Sequence, residues 1–117
     1  MGVNCIINII IAAGGNIMKK DWKVIVTNSP NEPWWFFAGW EKDIIAIYSF
    51  AEKQQALEKL HTLYEDFSNK YANVKNKTST MYAFWNEDEK VYCESCADDL
   101  QVYRGLFLTY KEEPYNE

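Results

Sequence analysis

Histidine is nearly missing from this chain: His61 is the single one among 117 residues. Hydrolytic Cys–His or Ser–His chemistry would have to run through that one side chain and an orienting group. His61 falls on the flank of a helical stripe, one turn after Leu57, and reads as a surface or boundary residue. No Gly-x-Ser-x-Gly, phosphate-cradling loop or paired-His motif accompanies it. Positive charge is also thin. The 12 Lys and Arg stand against 17 Asp and Glu, a net charge of −5 that repels phosphate backbones. Lys70, Lys75 and Lys77 form only a sparse group. Without a basic patch, tight direct DNA binding is not expected, and a membrane surface would find no basic face. The apolar run Cys5 to Ala13 is shorter than the roughly 20 residues of a membrane span and contains Asn8. The Cys count, 3, is odd and unsuited to a disulfide framework. Two of them make Cys93-x-x-Cys96, which fits a reducing, cytoplasmic compartment.

What is abundant is ring and apolar surface. The hydrophobic fraction is 48% and the aromatic fraction 16%, with 5 Trp and 8 Tyr. A chain of this size makes one domain and buries about two thirds of its unfolded surface. Residues 1–17 stand apart from the rest. They carry no charge and are rich in Ile and Asn, residues that AT-rich codons favour. Gly14-Gly15 can encode a ribosome-binding sequence at a normal distance before Met18. We therefore expect residues 1–17 to be a start assigned too far upstream, with the single domain running over 18–117.

Along that domain, Trp22 to Thr27 reads as a strand, β-branched and closed by Asn28-Ser29-Pro30. Trp34 to Ala38 reads as a second strand, with Gly39 as a turn or bulge. Asp43 to Tyr48 makes a third, its isoleucines suited to a pleated surface. Ser49-Phe50-Ala51-Glu52 fits a capping box that opens a helix over about residues 50 to 72. Ala56, Leu57, Leu60, Leu63, Tyr64, Phe67 and Tyr71 form its apolar stripe. Lys70 lies in its last turn and Asn73 is a candidate cap. Thr80 to Trp85 and Lys90 to Cys93 are strands flanking an acidic turn, Asn86 to Glu89. That turn lacks the spacing and glycine of a calcium loop. Residues 95–103 read as a short helix whose N-terminus would favour Asp98 and Asp99. Leu106 to Tyr110 is a closing strand. The fold class is α+β, in the order β-β-β-α-β-β-α-β. A mainly antiparallel sheet would carry one long amphipathic helix on one face.

Alternation in the aromatic run sends Trp34, Phe36 and Ala38 to one face, to fill the core under the helix, and Trp35 and Phe37 to the other. The second set needs another cover. Trp34, Trp35, Phe37 and Trp40 are therefore candidates for binding a protein partner or a second copy of the chain, with core packing or a ligand platform as competing readings. Cys93 and Cys96 are the candidate thiol or metal site. The charges of Glu94, Asp98 and Asp99 oppose thiolate formation. Zinc normally takes four ligands, so two chains would have to share it; no other cofactor is expected.

Two segments carry a family resemblance. Glu32-Pro33-Trp34-Trp35-Phe36-Phe37-Ala38-Gly39-Trp40-Glu41-Lys42-Asp43-Ile44 resembles the hallmark of the domain-of-unknown-function family 1033, small proteins of lactic-acid bacteria and their relatives. Ala83-Phe84-Trp85-Asn86-Glu87 resembles the start of its second hallmark, which continues in Tyr92-Cys93-Glu94-Ser95-Cys96 and Leu100-Gln101-Val102-Tyr103. Tyr92 stands where the family usually has Trp or another aromatic. The resemblance covers about Trp22 to Tyr110 and implies no activity. Some members lie beside genes for DNA-uptake machinery. The expected function is a non-catalytic interaction module, accessory to DNA uptake or another nucleic-acid process. The alternative is a thiol protein, redox-active or zinc-binding as a dimer.

Overall fold

The structure is a computed structural model and describes residues 19–94 and 98–116. Residues 1–17, for which an upstream start is expected, lie outside the described residues, as does Cys96.

The first strand, β1, spans Trp22–Ser29 and alternates between two buried faces. Val24 and Val26 point to one side, Ile25 and Thr27 to the other, and all four are buried. A strand buried on both faces belongs in the middle of a sheet. It pairs antiparallel with β2 (Ile44–Phe50) and with β7 (Tyr103–Tyr110). β7 also pairs with β4 (Met81–Trp85), which pairs with β3 (Asn73–Thr78). The order across the sheet is therefore β2-β1-β7-β4-β3. The short β8 (Glu113–Pro114) folds back on the end of β7 through Lys111 and Glu112, both at positive φ. That is the handedness a two-residue hairpin turn requires. β5 (Lys90–Cys93) and β6 (Asp98–Gln101) form a separate two-stranded ribbon.

One helix, α1, spans Lys53–Lys70 and covers one face of the sheet. Ala56, Leu60 and Leu63 are buried against Val24, Val26, Phe84, Leu106 and Leu108. Leu57, Tyr64 and Phe67 pack at the margin of this cluster. Ring contacts knit it together: Phe67 meets Phe84 edge-on at 5.4 Å, and Tyr64 tilts against Tyr82 at 4.7 Å. Among the described residues no helix is long and apolar enough to cross a membrane.

Four expectations are corrected. The capping box does not form, because Ser49 and Phe50 pair with Lys23 and Trp22 in β2. Extended backbone there delays the helix to Lys53. Its N-cap is Glu52, which makes no side-chain capping bond, and its C-cap is Tyr71 rather than Asn73. Residues 98–101 are strand rather than helix. Antiparallel pairing with β5 claims them, and the Gln101 amide ties the ribbon's base by donating to the carbonyls of Asn86 at 2.7 Å and Glu89 at 2.8 Å. The expected order placed no strand between the helix and Thr80, yet the polar residues Asn73–Thr78 form an edge strand, β3, whose exposed positions tolerate Lys and Asn. Finally, Trp34 to Ala38 is no strand. Pro33 opens one 3-10 turn over Pro33–Trp35, and a second covers Trp40–Asp43. Proline lacks the N–H that a strand ladder needs. The order that results is β-β-α-β-β-β-β-β-β.

Candidate functional site

The β1–β2 connection folds onto the sheet face opposite α1. Three of its rings, Trp34, Phe36 and Trp40, pack against Ile25, Met81, Phe107 and Ile44. Phe36 meets Phe107 edge-on at 5.5 Å and Trp40 at 4.9 Å. To reach inward, Phe36 adopts the left-handed conformation, φ 47° and ψ 48°. That costs a non-glycine residue roughly 1–2 kcal/mol, and burial of its ring offsets it. Gly39, at φ 84°, makes the second reversal without such a penalty. These reversals turn Trp35 and Phe37 outward. They are 56% and 52% exposed and lie nearly parallel, 11° apart with centroids at 6.2 Å.

The sorting expected from alternation holds for the four rings from Trp34 to Phe37, although backbone reversals produce it, and fails at Ala38, which is exposed instead of facing inward. The core they fill is different. Phe36 and Trp34 cover the second face of the sheet, while α1, joined by Tyr71 and Tyr115, covers the first. Of the four candidate residues, Trp35 and Phe37 are exposed, whereas Trp34 and Trp40 are half-buried in the second cluster.

Charge surrounds the exposed pair unevenly. The Trp35 indole N–H donates to the Glu32 carboxylate at 3.2 Å. Lys75 reaches the same carboxylate at 3.7 Å and lies over the Trp34 ring at 5.6 Å. Burial raises the pKa of Tyr103, and the negative charge of Glu32 adds to the effect. Tyr103 packs edge-on against Trp85 at 5.4 Å, which extends the aromatic zone toward β4.

Two openings flank the loop. One, about 90 Å³, lies beneath it beside Thr27, Ser29 and Asp43. The other, about 270 Å³, is lined by Ile25, Phe36, Trp40, Ile44, Ile47 and Phe107, together with Lys23 and Glu112. The Lys23 ammonium donates to Glu112 at 2.8 Å and holds that carboxyl below its usual pKa.

The other candidates are placed as follows. Cys93 is half-buried in β5, opposite Asp98. Because β6 replaces the expected short helix, no helix dipole acts on Asp98 and Asp99 there. His61 is exposed on α1, and Glu87, Asp88 and Glu89 are exposed at the β4–β5 turn. Among the described residues no three His, Cys, Asp or Glu side chains converge to hold a metal ion. Two features escaped the sequence reading. Glu32 anchors the exposed tryptophan, a role that only the turn geometry reveals. Ile45 and Ile47 stay half-exposed on an edge strand, which the uncharged run Ile44–Phe50 could have signalled.

No curated protein and no solved structure matches the chain. One family model does, over residues 21–116, and it includes the whole aromatic loop, the sheet and the ribbon. The chain belongs to the family described as protein of unknown function (DUF1033).

Proposed function

We propose that this protein is a non-catalytic interaction module of the cytoplasm, accessory to DNA uptake or another nucleic-acid process. It docks a protein partner on the stacked rings of Trp35 and Phe37. The observation that carries the reading is the exposure of two large rings side by side on a turn whose neighbouring rings are packed onto the sheet. A left-handed phenylalanine and a left-handed glycine hold two large rings in water, side by side, on a turn anchored from behind by Trp34, Phe36 and Trp40. Aromatic anchors of this kind dominate protein interfaces. Glu32 beside Trp35 and the net charge of −5 favour a basic partner, whose arginine can stack on the rings and pair with the carboxylate. Such a partner would bring an acidic protein to DNA that it does not bind itself.

The test is a pull-down from the native cell with wild type and with Trp35→Ala and Phe37→Ala. Loss of a specific basic partner in both variants, with unfolding midpoints unchanged, is expected. Unchanged partners would refute the reading, as would a sub-micromolar gel shift by the purified protein at moderate salt. Thiol titration and metal analysis separate this reading from a thiol or shared-zinc protein built on Cys93 and Cys96.

A further inference from the structure

The opening beneath the aromatic loop differs in kind from the exposed rings above it. Its volume is about 90 Å³, well below the roughly 300–1,000 Å³ of small-molecule sites. That suits the head of one side chain and excludes a nucleotide or a sugar ring. On the β1 side it meets Thr27 and Ser29, both buried. Thr27 is only 4% exposed, yet among the described residues its hydroxyl makes no hydrogen bond. A buried polar group without a partner is uncommon in a folded protein. The Ser29 oxygen accepts one bond, from the Asn31 N–H at 3.0 Å, and keeps a second lone pair. Asp43 joins these hydroxyls because its neighbour Ile44 pairs with Thr27. Among the described residues no hydrogen bond or ion pair engages the Asp43 carboxylate. No Lys or Arg lines the opening, and Pro33, Phe36, Phe37 and Trp40 give it apolar walls.

We infer that this opening receives the guanidinium of an arginine side chain. An unpaired carboxylate beside two hydroxyls calls for a cation and repels phosphate or carboxylate groups. A hard metal ion takes oxygen on every side. Here rings and a proline occupy much of the wall, and among the described residues no three His, Cys, Asp or Glu side chains converge. A lysine ammonium is a compact, strongly hydrated charge that apolar walls serve poorly. Guanidinium is planar and more weakly hydrated, so it lies against rings while its N–H donors reach oxygen. Asp43, Thr27 and Ser29 are three such acceptors. Glu32 also lines the opening, but its carboxylate is already shared by the Trp35 indole and Lys75, so Asp43 supplies the opposing charge. For the source of the arginine the inference rests on the proposed docking of a basic partner, which it narrows. Phe37 belongs both to the exposed pair and to this wall, so an arginine of the docked segment enters past its ring.

The experiment titrates the full chain with N-acetyl-arginine amide and follows its backbone amide resonances. Shifts at Thr27, Phe37 and Asp43 should saturate together, with a dissociation constant on the order of 1 mM. The citrulline analogue, similar in shape and uncharged, should produce none, and the lysine analogue should bind about tenfold more weakly. Asp43→Asn should weaken arginine binding by about tenfold. Thr27→Val should weaken it too while leaving the unfolding midpoint in place, since the hydroxyl it removes bonds to nothing in the fold. Shifts that never saturate would overturn the inference. So would equal binding of the citrulline analogue, saturation by calcium instead of arginine, or a Thr27→Val variant that binds as wild type does. Pull-down of the basic partner separates the pocket from the docking reading. Release by Trp35→Ala but not by Asp43→Asn would overturn the pocket and leave the docking in place. Capture untouched by either variant, with arginine still saturating the opening, would uphold the pocket and refute the docking.

Discussion

Gly105 sits where the aromatic loop comes nearest to the sheet, and replacing it with alanine should prise the two apart. In β7 this residue lies between Thr27 of β1 and Ala83 of β4. A methyl group there would stand 2.7 Å from Cβ and 3.0 Å from Cγ of Pro33, and closer still to Oγ1 of Thr27. The proline ring cannot swing aside, because its torsion is fixed and it opens the 3-10 turn that carries Trp34 and Trp35. Thr27 is buried and β-branched, so it has few rotamers to retreat to. The methyl must displace the turn, and overpacking of this kind costs about 1–3 kcal/mol. Much of that cost would appear as lost contact between Phe36, Trp40 and Phe107, the rings the turn presses onto the sheet. Urea unfolding followed by tryptophan emission would report both effects: a lower midpoint, and native emission shifted toward that of exposed indole. Thr27→Ala removes the nearest obstacle, so Gly105→Ala should cost less in that background. A midpoint and native emission unchanged by Gly105→Ala would refute the close approach. Strict additivity with Thr27→Ala would show that the two residues do not compete for the same space.

Leu60, 4% exposed beneath α1, should cost about 2–5 kcal/mol when cut to alanine, and an unmoved denaturation midpoint would rule out its packing on the sheet. Burial raises the pKa of Tyr71, Tyr82 and Tyr103; Glu89 adds to this at Tyr71, Tyr64 at Tyr82 and Glu32 at Tyr103, while Arg104 opposes it at Tyr71. The fold thus favours their protonated form. The stability they lend is complete below the ordinary tyrosine value of about 10 and is lost as pH rises through their raised values. Phenolate absorbance should therefore show a late-titrating group among the tyrosines, and Tyr103→Phe should remove one member of it.

Much of the fold was legible where a single local signal dominated. The β-branched run from Trp22 to Thr27, bounded by turn formers, and the helical stripe from Ala56 to Phe67 located β1 and α1, because each suits the backbone that buries it. The reading failed where local signals competed with pairing. Ser49 through Glu52 looked like a helix entrance, yet Trp22 and Lys23 hold the first two of those residues in a ladder. Asp98 and Asp99 looked like helix-start acids, yet they are ribbon residues paired across to Cys93 and Tyr92. In the aromatic loop the residue sorting was legible and the backbone was not. Five hydrophobic residues in a row resemble a buried strand. Only the positive φ at Phe36 and Gly39 reveals a turned segment laid on the far side of the sheet.

The position of β7 has a consequence for synthesis. It is the seam between two hairpin-like halves, β1 with β2 and β3 with β4, and it is made after everything it joins. Until residues 103–110 leave the ribosome, Val24 and Val26 on one side and Phe84 on the other have no Leu106 or Leu108 to close against. The nascent chain must then hold two open strand flanks, at β1 and at β4, besides the uncharged edge at β2. Pairings this distant along the chain form slowly and leave apolar surface uncovered meanwhile. A stop codon just before Tyr103 would therefore remove the joint of the whole sheet, and the product should be cleared by proteolysis rather than persist as a shortened protein.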